Sequence, residues 1–246
     1  MTSKISTILK NLSYSVSANA LSLFSSIFMV LVVAKKVGIT EYGYWQLYLF
    51  YISYAGFFTF GWVDGIYLRY GGKSYRKLNK SLFISQFWLM LVLESLLALL
   101  MFLLSSSFSD YQKTIIMSAF AINIIILSLR GIYVYVLQAT NRIKEYAYLT
   151  LIEKLTFLVL TILILLFNFN SCYLLIIADL IGKIFSFIYT LIICRDLVFG
   201  KFANIKDTII ETWENIHVGA KLLIANIASM LIIGIVRYLI EVSWSI

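Results

Sequence analysis

The chain of 246 residues is 61% hydrophobic and only 13% charged, with a mean hydropathy of +0.92. A water-soluble domain of this size carries about 25% charged residues. The composition therefore excludes a fully solvated surface and makes lipid the outer solvent. The net charge of +8 does not call for a nucleic-acid partner, because the basic residues fall between the apolar runs, where membrane topology places them.

Lipid cannot satisfy backbone N–H and C=O groups, so a spanning segment must be a helix or part of a closed barrel. The apolar runs are continuous over about 20 residues rather than alternating over ten, which selects helices. Taken in chain order, seven spans are expected at about 14–34, 42–63, 81–104, 114–137, 149–167, 172–194 and 218–240. The run after Lys4 and Lys10 is too long for the apolar region of a cleavable signal. The chain holds no proline, so a broken helix would have to come from glycine. Cys172 and Cys194 lie at opposite ends of the sixth span, roughly 33 Å apart and beyond disulfide reach.

The loops set the expected orientation. Lys4, Lys10, Arg69, Lys73, Arg76, Lys77, Lys80, Arg142, Lys144, Arg195, Lys201 and Lys206 fall on one side; Lys35, Lys36 and Lys113 fall on the other. The positive-inside rule then places the N-terminus in the cytoplasm. Tyr42, Tyr44 and Trp45 open the second span, and Trp62, Tyr67 and Tyr70 close it, as interfacial aromatics do. In segment 197–217, Phe202, Ile205, Ile209, Trp213 and Ile216 recur every three or four residues, the pattern of a helix lying on the inner membrane surface.

Ala18-Asn19-Ala20-Leu21-Ser22 in the first span recurs as Ala225-Asn226-Ile227-Ala228-Ser229 in the seventh, and Gly38-Ile39 then aligns with Ser245-Ile246. An even number of spans separates the copies, so the repeat is parallel, the arrangement of two-lobed transporters. A complete second lobe would make a chain of about twice 207 residues. On this reading the sequence stops after the first helix of its second lobe.

Ionisable groups at membrane depth cost about 2.5–3.5 kcal/mol each on insertion scales and are functional candidates by default. Glu94 falls mid-span, and Asp179 and Lys183 share a face of the sixth span and can pair. Arg130 lies about two turns from the cytoplasmic end of the fourth span. Lys221 and Arg237 lie near the two ends of the seventh. Asp64, Glu153 and Lys154 are expected to snorkel at the interface. Ser15, Asn19, Ser22 and Ser26 form a polar stripe that faces either a water-filled cavity or a closely packed helix; the cavity is the favoured reading. Gly61 and Gly65 form a GxxxG, read as close helix packing or as a flexible end to the second span. Gly72-Lys73-Ser74 is not a phosphate-binding loop, because Tyr67 stands where that pattern needs glycine. His217 has no partners for a metal site or a nucleophile relay.

The run Phe60-Gly61-Trp62-Val63-Asp64-Gly65-Ile66-Tyr67-Leu68-Arg69-Tyr70-Gly71-Gly72-Lys73 follows a loop bearing Gly38, Ile39, Glu41, Tyr42 and Gly43. Together they resemble polysaccharide flippases, the Wzx-type O-antigen and capsule exporters of the multidrug/oligosaccharidyl-lipid/polysaccharide superfamily. Gly219-Ala220-Lys221-Leu222-Leu223-Ile224-Ala225-Asn226 resembles the opening of that family's second lobe.

The resemblance implies an all-α integral membrane protein of MATE-like fold. Residues 1–196 would form a six-helix N-terminal lobe, 197–217 a cytoplasmic amphipathic linker and 218–246 the first helix of an incomplete second lobe. It implies flipping of undecaprenyl-pyrophosphate-linked oligosaccharide across the bacterial inner membrane for lipopolysaccharide O-antigen or capsule biosynthesis. Alternating access would drive it, ion-coupled, with no cofactor and no catalytic residue. The implied partners are the lipid-linked oligosaccharide, membrane lipids and the polysaccharide polymerase machinery.

Arg130 and Lys183 are the expected attractors of pyrophosphate or acidic sugar, Asn19, Ser22 and Ser26 the expected polar wall, and Glu94 and Asp179 the expected ion or proton sites. The family has twelve or more helices, so half the cavity wall would be missing. A flippase-deficient strain given this chain is expected not to regain surface polysaccharide. The alternatives are a cation-coupled drug exporter of the same superfamily and an inactive membrane fragment. A membrane enzyme is disfavoured, because the longest loop carries one His and no catalytic cluster.

Overall fold

The computed structural model describes residues 2–169 and 171–244, with side chains over 9–169 and 171–231. The described residues form helices and connecting turns, without strands. The α-helices are α1 (Thr2–Phe28), α2 (Ala34–Val37), α3 (Ile39–Ser53), α4 (Trp62–Tyr70), α5 (Lys80–Ser105), α6 (Tyr111–Ala139), α7 (Ile143–Leu166), α8 (Cys172–Ile193), α9 (Arg195–Val198) and α10 (Ile205–Trp244). A π-helical turn, Met29–Val33, joins α1 to α2 without a break.

Among the searched residues, five helices are long and apolar enough to cross a membrane: Leu9–Val37, Lys80–Ser105, Tyr111–Ala139, Ile143–Leu166 and Cys172–Ile193. Their outward faces are apolar; on α5, Leu96, Leu99, Phe102 and Leu103 are all exposed. Apolar surface on this scale needs a lipid covering. The chain is an all-α, multi-pass membrane protein. α6 is the central helix, with 56% of its apolar window buried against 22–39% for the others. It packs against α3, α4, α5, α7 and α8.

Two of the seven expected spans take another form. The second is not one helix. α3 ends at Ser53, a 3₁₀ turn covers Ala55–Thr59, and α4 starts at Trp62. The turn closes with Phe60 at φ 52° and Gly61 at φ 81°. Left-handed backbone costs a bulky residue such as Phe60 about 1–3 kcal/mol, so packing must hold the break in place. The expected seventh span, 218–240, falls within α10, which runs unbroken from Ile205. The side chains beyond residue 231, Arg237 among them, lie outside the described residues, as do Ser245 and Ile246 of the repeat.

Local chemistry sets the helix ends. Asn79 caps α5 by accepting from Leu82 N–H, and Asp110 caps α6 by accepting from Gln112 N–H at 2.8 Å. Asn141 and Asn168 end α6 and α7 in left-handed conformation. Arg142 N–H then donates to Leu137 O at 2.8 Å and Phe169 N–H to Ile164 O at 3.1 Å, the Schellman closure with Asn where Gly is commoner. The α8 N-terminus is capped from a distance: Cys172 N–H donates to Glu41 Oε2 at 2.7 Å.

The Phe60–Lys73 run is the seat of α10. A Cβ added at Gly61 would meet Gly219 backbone at 2.7 Å, and one at Gly65 would overlap the Asn215 backbone outright. The GxxxG is therefore a close-packing face. At the end of α4, Arg69 holds Glu211 through both guanidinium nitrogens, at 2.6 and 3.2 Å, and also reaches Asn215 at 2.6 Å and Glu214. Tyr70 donates to Glu211 at 2.6 Å. Deeper in, Trp62 and Asn215 both donate to Gln86 Oε1 at 2.8 Å.

Candidate functional site

The inner face of α8 carries Asp179, Gly182, Lys183, Ser186 and Thr190, all buried. Their spacing of three and four residues places them on one stripe. The first charged pair closes a ring with two other helices. Lys183 Nζ donates to Asp179 Oδ2 at 2.5 Å and to Asn123 Oδ1 at 2.9 Å. Asn123 Nδ2 donates to Tyr48 Oη at 3.0 Å, and Tyr48 O–H donates back to Asp179 at 2.6 Å. Lys183 also stands 5.6 Å from the centre of the Tyr48 ring. The ring pins α3, α6 and α8 together.

A second charge group adjoins it. Arg130 of α6 meets Glu153 of α7 at 2.6 Å, and Lys154 meets the other carboxylate oxygen at 2.9 Å. Gly182 lets α8 come down on this turn of α7: a Cβ there would lie 2.7 Å from Glu153 O. Ser186 adds a bond to Leu149 O at 2.9 Å. The two groups hold three cations, Arg130, Lys154 and Lys183, against two acids, Asp179 and Glu153.

Glu153 is buried, as is Asp64. Neither snorkels at the interface as expected, because Arg130 and the helix break respectively give each an interior place. Lys154 is half-buried and faces a cleft.

That cleft, about 460 Å³, opens between α1, α3 and α7. Ser22, Ser25, Ser26, Gln46, Lys154 and Asp179 line it, over an apolar floor that includes Met29 and Phe157. The π turn at Met29 sits at its edge; such turns recur at functional sites. Ser22 and Ser26 donate to the carbonyls of Ala18 and Ser22 at 3.0 Å, leaving their lone pairs toward the cleft. Asn19 is exposed on α1 and does not line the cleft.

The structure thus brings Arg130, Lys183, Asp179, Ser22 and Ser26 into one region. Glu94 stands apart on α5, 2% exposed, with no hydrogen-bond partner on Oε2 among the described residues. It lines a separate cavity of about 310 Å³ with Phe58, Thr59, Phe60 and Trp62.

Tyr48, Asn123 and Gln46 were not among the sequence candidates. Neutral polar residues inside apolar spans give a weak signal. For Asn123 the available signal was an amide in the middle of an apolar run. Comparison with protein-family models, curated proteins and solved structures finds no match.

Proposed function

We propose that the chain belongs to the transport machinery for lipid-linked sugars, binding the undecaprenyl-pyrophosphate-linked oligosaccharide on a MATE-like lobe in the bacterial inner membrane. The observation that carries this reading is the cleft itself. It places hydroxyl and amide groups from α1 and α3 beside a buried patch in which cations outnumber acids. A cytoplasmic N-terminus, from the loop charges, turns the Arg130 and Lys154 end toward the inner leaflet, where such substrates are made.

Diphosphate recognition asks for point charges and forks within a dry wall. Lys154 is the cation that reaches the cleft directly. Lys183 and Arg130 stand behind Asp179 and Glu153, so an incoming diphosphate would take over their bonds as it displaced those carboxylates. Glu94 and Asp179 are the acids from which a driving ion gradient could be read.

Native mass spectrometry of the full chain in nanodiscs tests this. Undecaprenyl pyrophosphate should bind at least tenfold more tightly than undecaprenol, and Lys154→Met should erase most of that difference. Equal binding of the two lipids would sink the reading.

A further inference from the structure

Among the described residues, four carboxylates are buried within the helices: Asp64, Glu94, Glu153 and Asp179. Glu153 is matched by Arg130 and Lys154, and Asp179 by Lys183. Asp64 and Glu94 have no Lys or Arg partner among the described residues. Both unmatched acids flank the break between α3 and α4, and Thr59 of the 3₁₀ turn lines the cavities of both. A buried anion without a counter-charge is too costly to stand alone. A carboxylate so placed is either protonated or matched by a cation from outside the described residues.

The two cavities differ in chemistry. Apart from Thr59, the Glu94 cavity is walled by apolar and aromatic side chains. The Asp64 cavity, about 290 Å³, sets oxygen-bearing Ser53, Thr59, Ser128, Tyr135 and Asn226 into a wall that is otherwise largely apolar, with Phe57, Leu127 and Leu223 among its residues. Asp64 is 5% exposed with the Tyr135 hydroxyl beside it, and Ser128, 2% exposed, stands between the two acids, its Oγ near Glu94 but in no well-formed hydrogen bond among the described residues. An interrupted helix also leaves carbonyls at the end of its first half without intrahelical donors. Half-helix C-termini at such breaks coordinate cations in membrane transporters.

We infer that the break between α3 and α4 binds a small alkali cation, held by the Asp64 carboxylate, the Ser128, Tyr135 and Asn226 side-chain oxygens and the carbonyls that close α3. One carboxylate in a set of neutral oxygens matches one positive charge. A divalent ion would draw on more carboxylates, and a soft metal would want several sulfur or imidazole ligands, where this cavity offers only the thioether of Met230 among its described lining residues. Asn226 comes from α10, so the ion would join α10 to the broken helix beside the contact of Gly61 with Gly219. The site is separate from the Asp179 cleft, and its occupancy does not depend on lipid-linked sugar being the substrate.

The test is equilibrium binding of radioactive sodium to the purified full chain in nanodiscs, with choline replacing sodium at constant ionic strength. Saturable binding is expected, displaced by unlabelled sodium and not by choline. Asp64→Asn should weaken it at least tenfold, and Asp207→Asn, at an exposed position of α10, should leave it unchanged. Should Asp64→Asn not fold, Ser128→Ala and Asn226→Ala each keep the wall charge and should weaken binding several-fold. No saturable sodium binding by the unaltered chain would overturn the inference. So would wild-type affinity in Asp64→Asn or in both milder variants, or proton uptake at Asp64 without sodium binding.

Discussion

Lys183 lies one helical turn from Asp179 on α8, with 2.5 Å between Nζ and Oδ2, and both side chains are more than nine-tenths buried. Asn123 and Tyr48 complete the pair's hydrogen bonding from two other helices. Each interhelical bond in a membrane contributes only about 0.6 kcal/mol on average. Removing one charge of a buried pair costs far more, about 3–5 kcal/mol. The uncompensated charge therefore dominates over the lost bonds.

Lys183→Met should accordingly destabilise the protein by about 3–5 kcal/mol. The double variant Asp179→Asn, Lys183→Met should recover most of that loss. Thermal unfolding of the purified protein, followed by tryptophan fluorescence, measures both. A double variant no better than the single would show that the pair holds the helices by geometry rather than by charge balance.

Two glycines should respond in opposite directions. A Cβ at Gly65 would overlap the Asn215 backbone, whereas one at Gly43 would meet nothing within 4 Å. Gly65→Ala should cost about 1–3 kcal/mol as α10 is forced off α4. Gly43→Ala, inside α3, should gain up to about 1 kcal/mol from helix propensity. Paired melting curves give the comparison.

Arg69 is the clamp between α4 and α10, with two bonds to the Glu211 carboxylate, one to the Glu211 carbonyl and one each to Asn215 and Glu214. Lysine cannot reproduce a planar fork. Arg69→Lys should therefore raise hydrogen exchange in residues 205–215 nearly as much as Arg69→Ala does. Full protection in Arg69→Lys would reduce the clamp to a point charge.

The linker before α10 should loosen in acid. Tyr75 donates to Asp196 at 2.7 Å and Lys80 meets it at 2.8 Å. Partial burial raises the Asp196 carboxyl, but these bonds outweigh that effect and hold it below its usual value. Its folded value lies below its unfolded one. Its contribution is thus complete above the unfolded value, about 3.9, and is lost as pH falls through the folded value. Hydrogen exchange in residues 197–204, corrected for intrinsic rate, should rise below about pH 4. Lys80→Met should move the onset upward and flatten the rise.

Hydropathy and span length alone determined that this is an all-α membrane protein, and they placed α5, α6 and α8 to within three residues at each end, while α7 starts six residues earlier than expected, at Ile143. That follows because a spanning segment must satisfy its own backbone and face lipid along its length, a property of local sequence. The Asp179–Lys183 pair was legible for the same reason: four residues on one helix are neighbours wherever the helix lies. The partners of that pair were not legible, since Tyr48 and Asn123 lie 131 and 60 residues away from them.

The break in the second span was hidden too. Hydropathy scores side chains and is blind to the path of the backbone, and Phe60 carries no mark of a left-handed residue. Only tertiary packing decided it. Gly61 and Gly65 must meet Gly219 and Asn215, and the chain turns out of its helix at Phe60 to let them. The same packing turned Asp64 from an expected surface charge into a buried carboxylate, because the break that seats α10 also opens the cavity into which Asp64 falls.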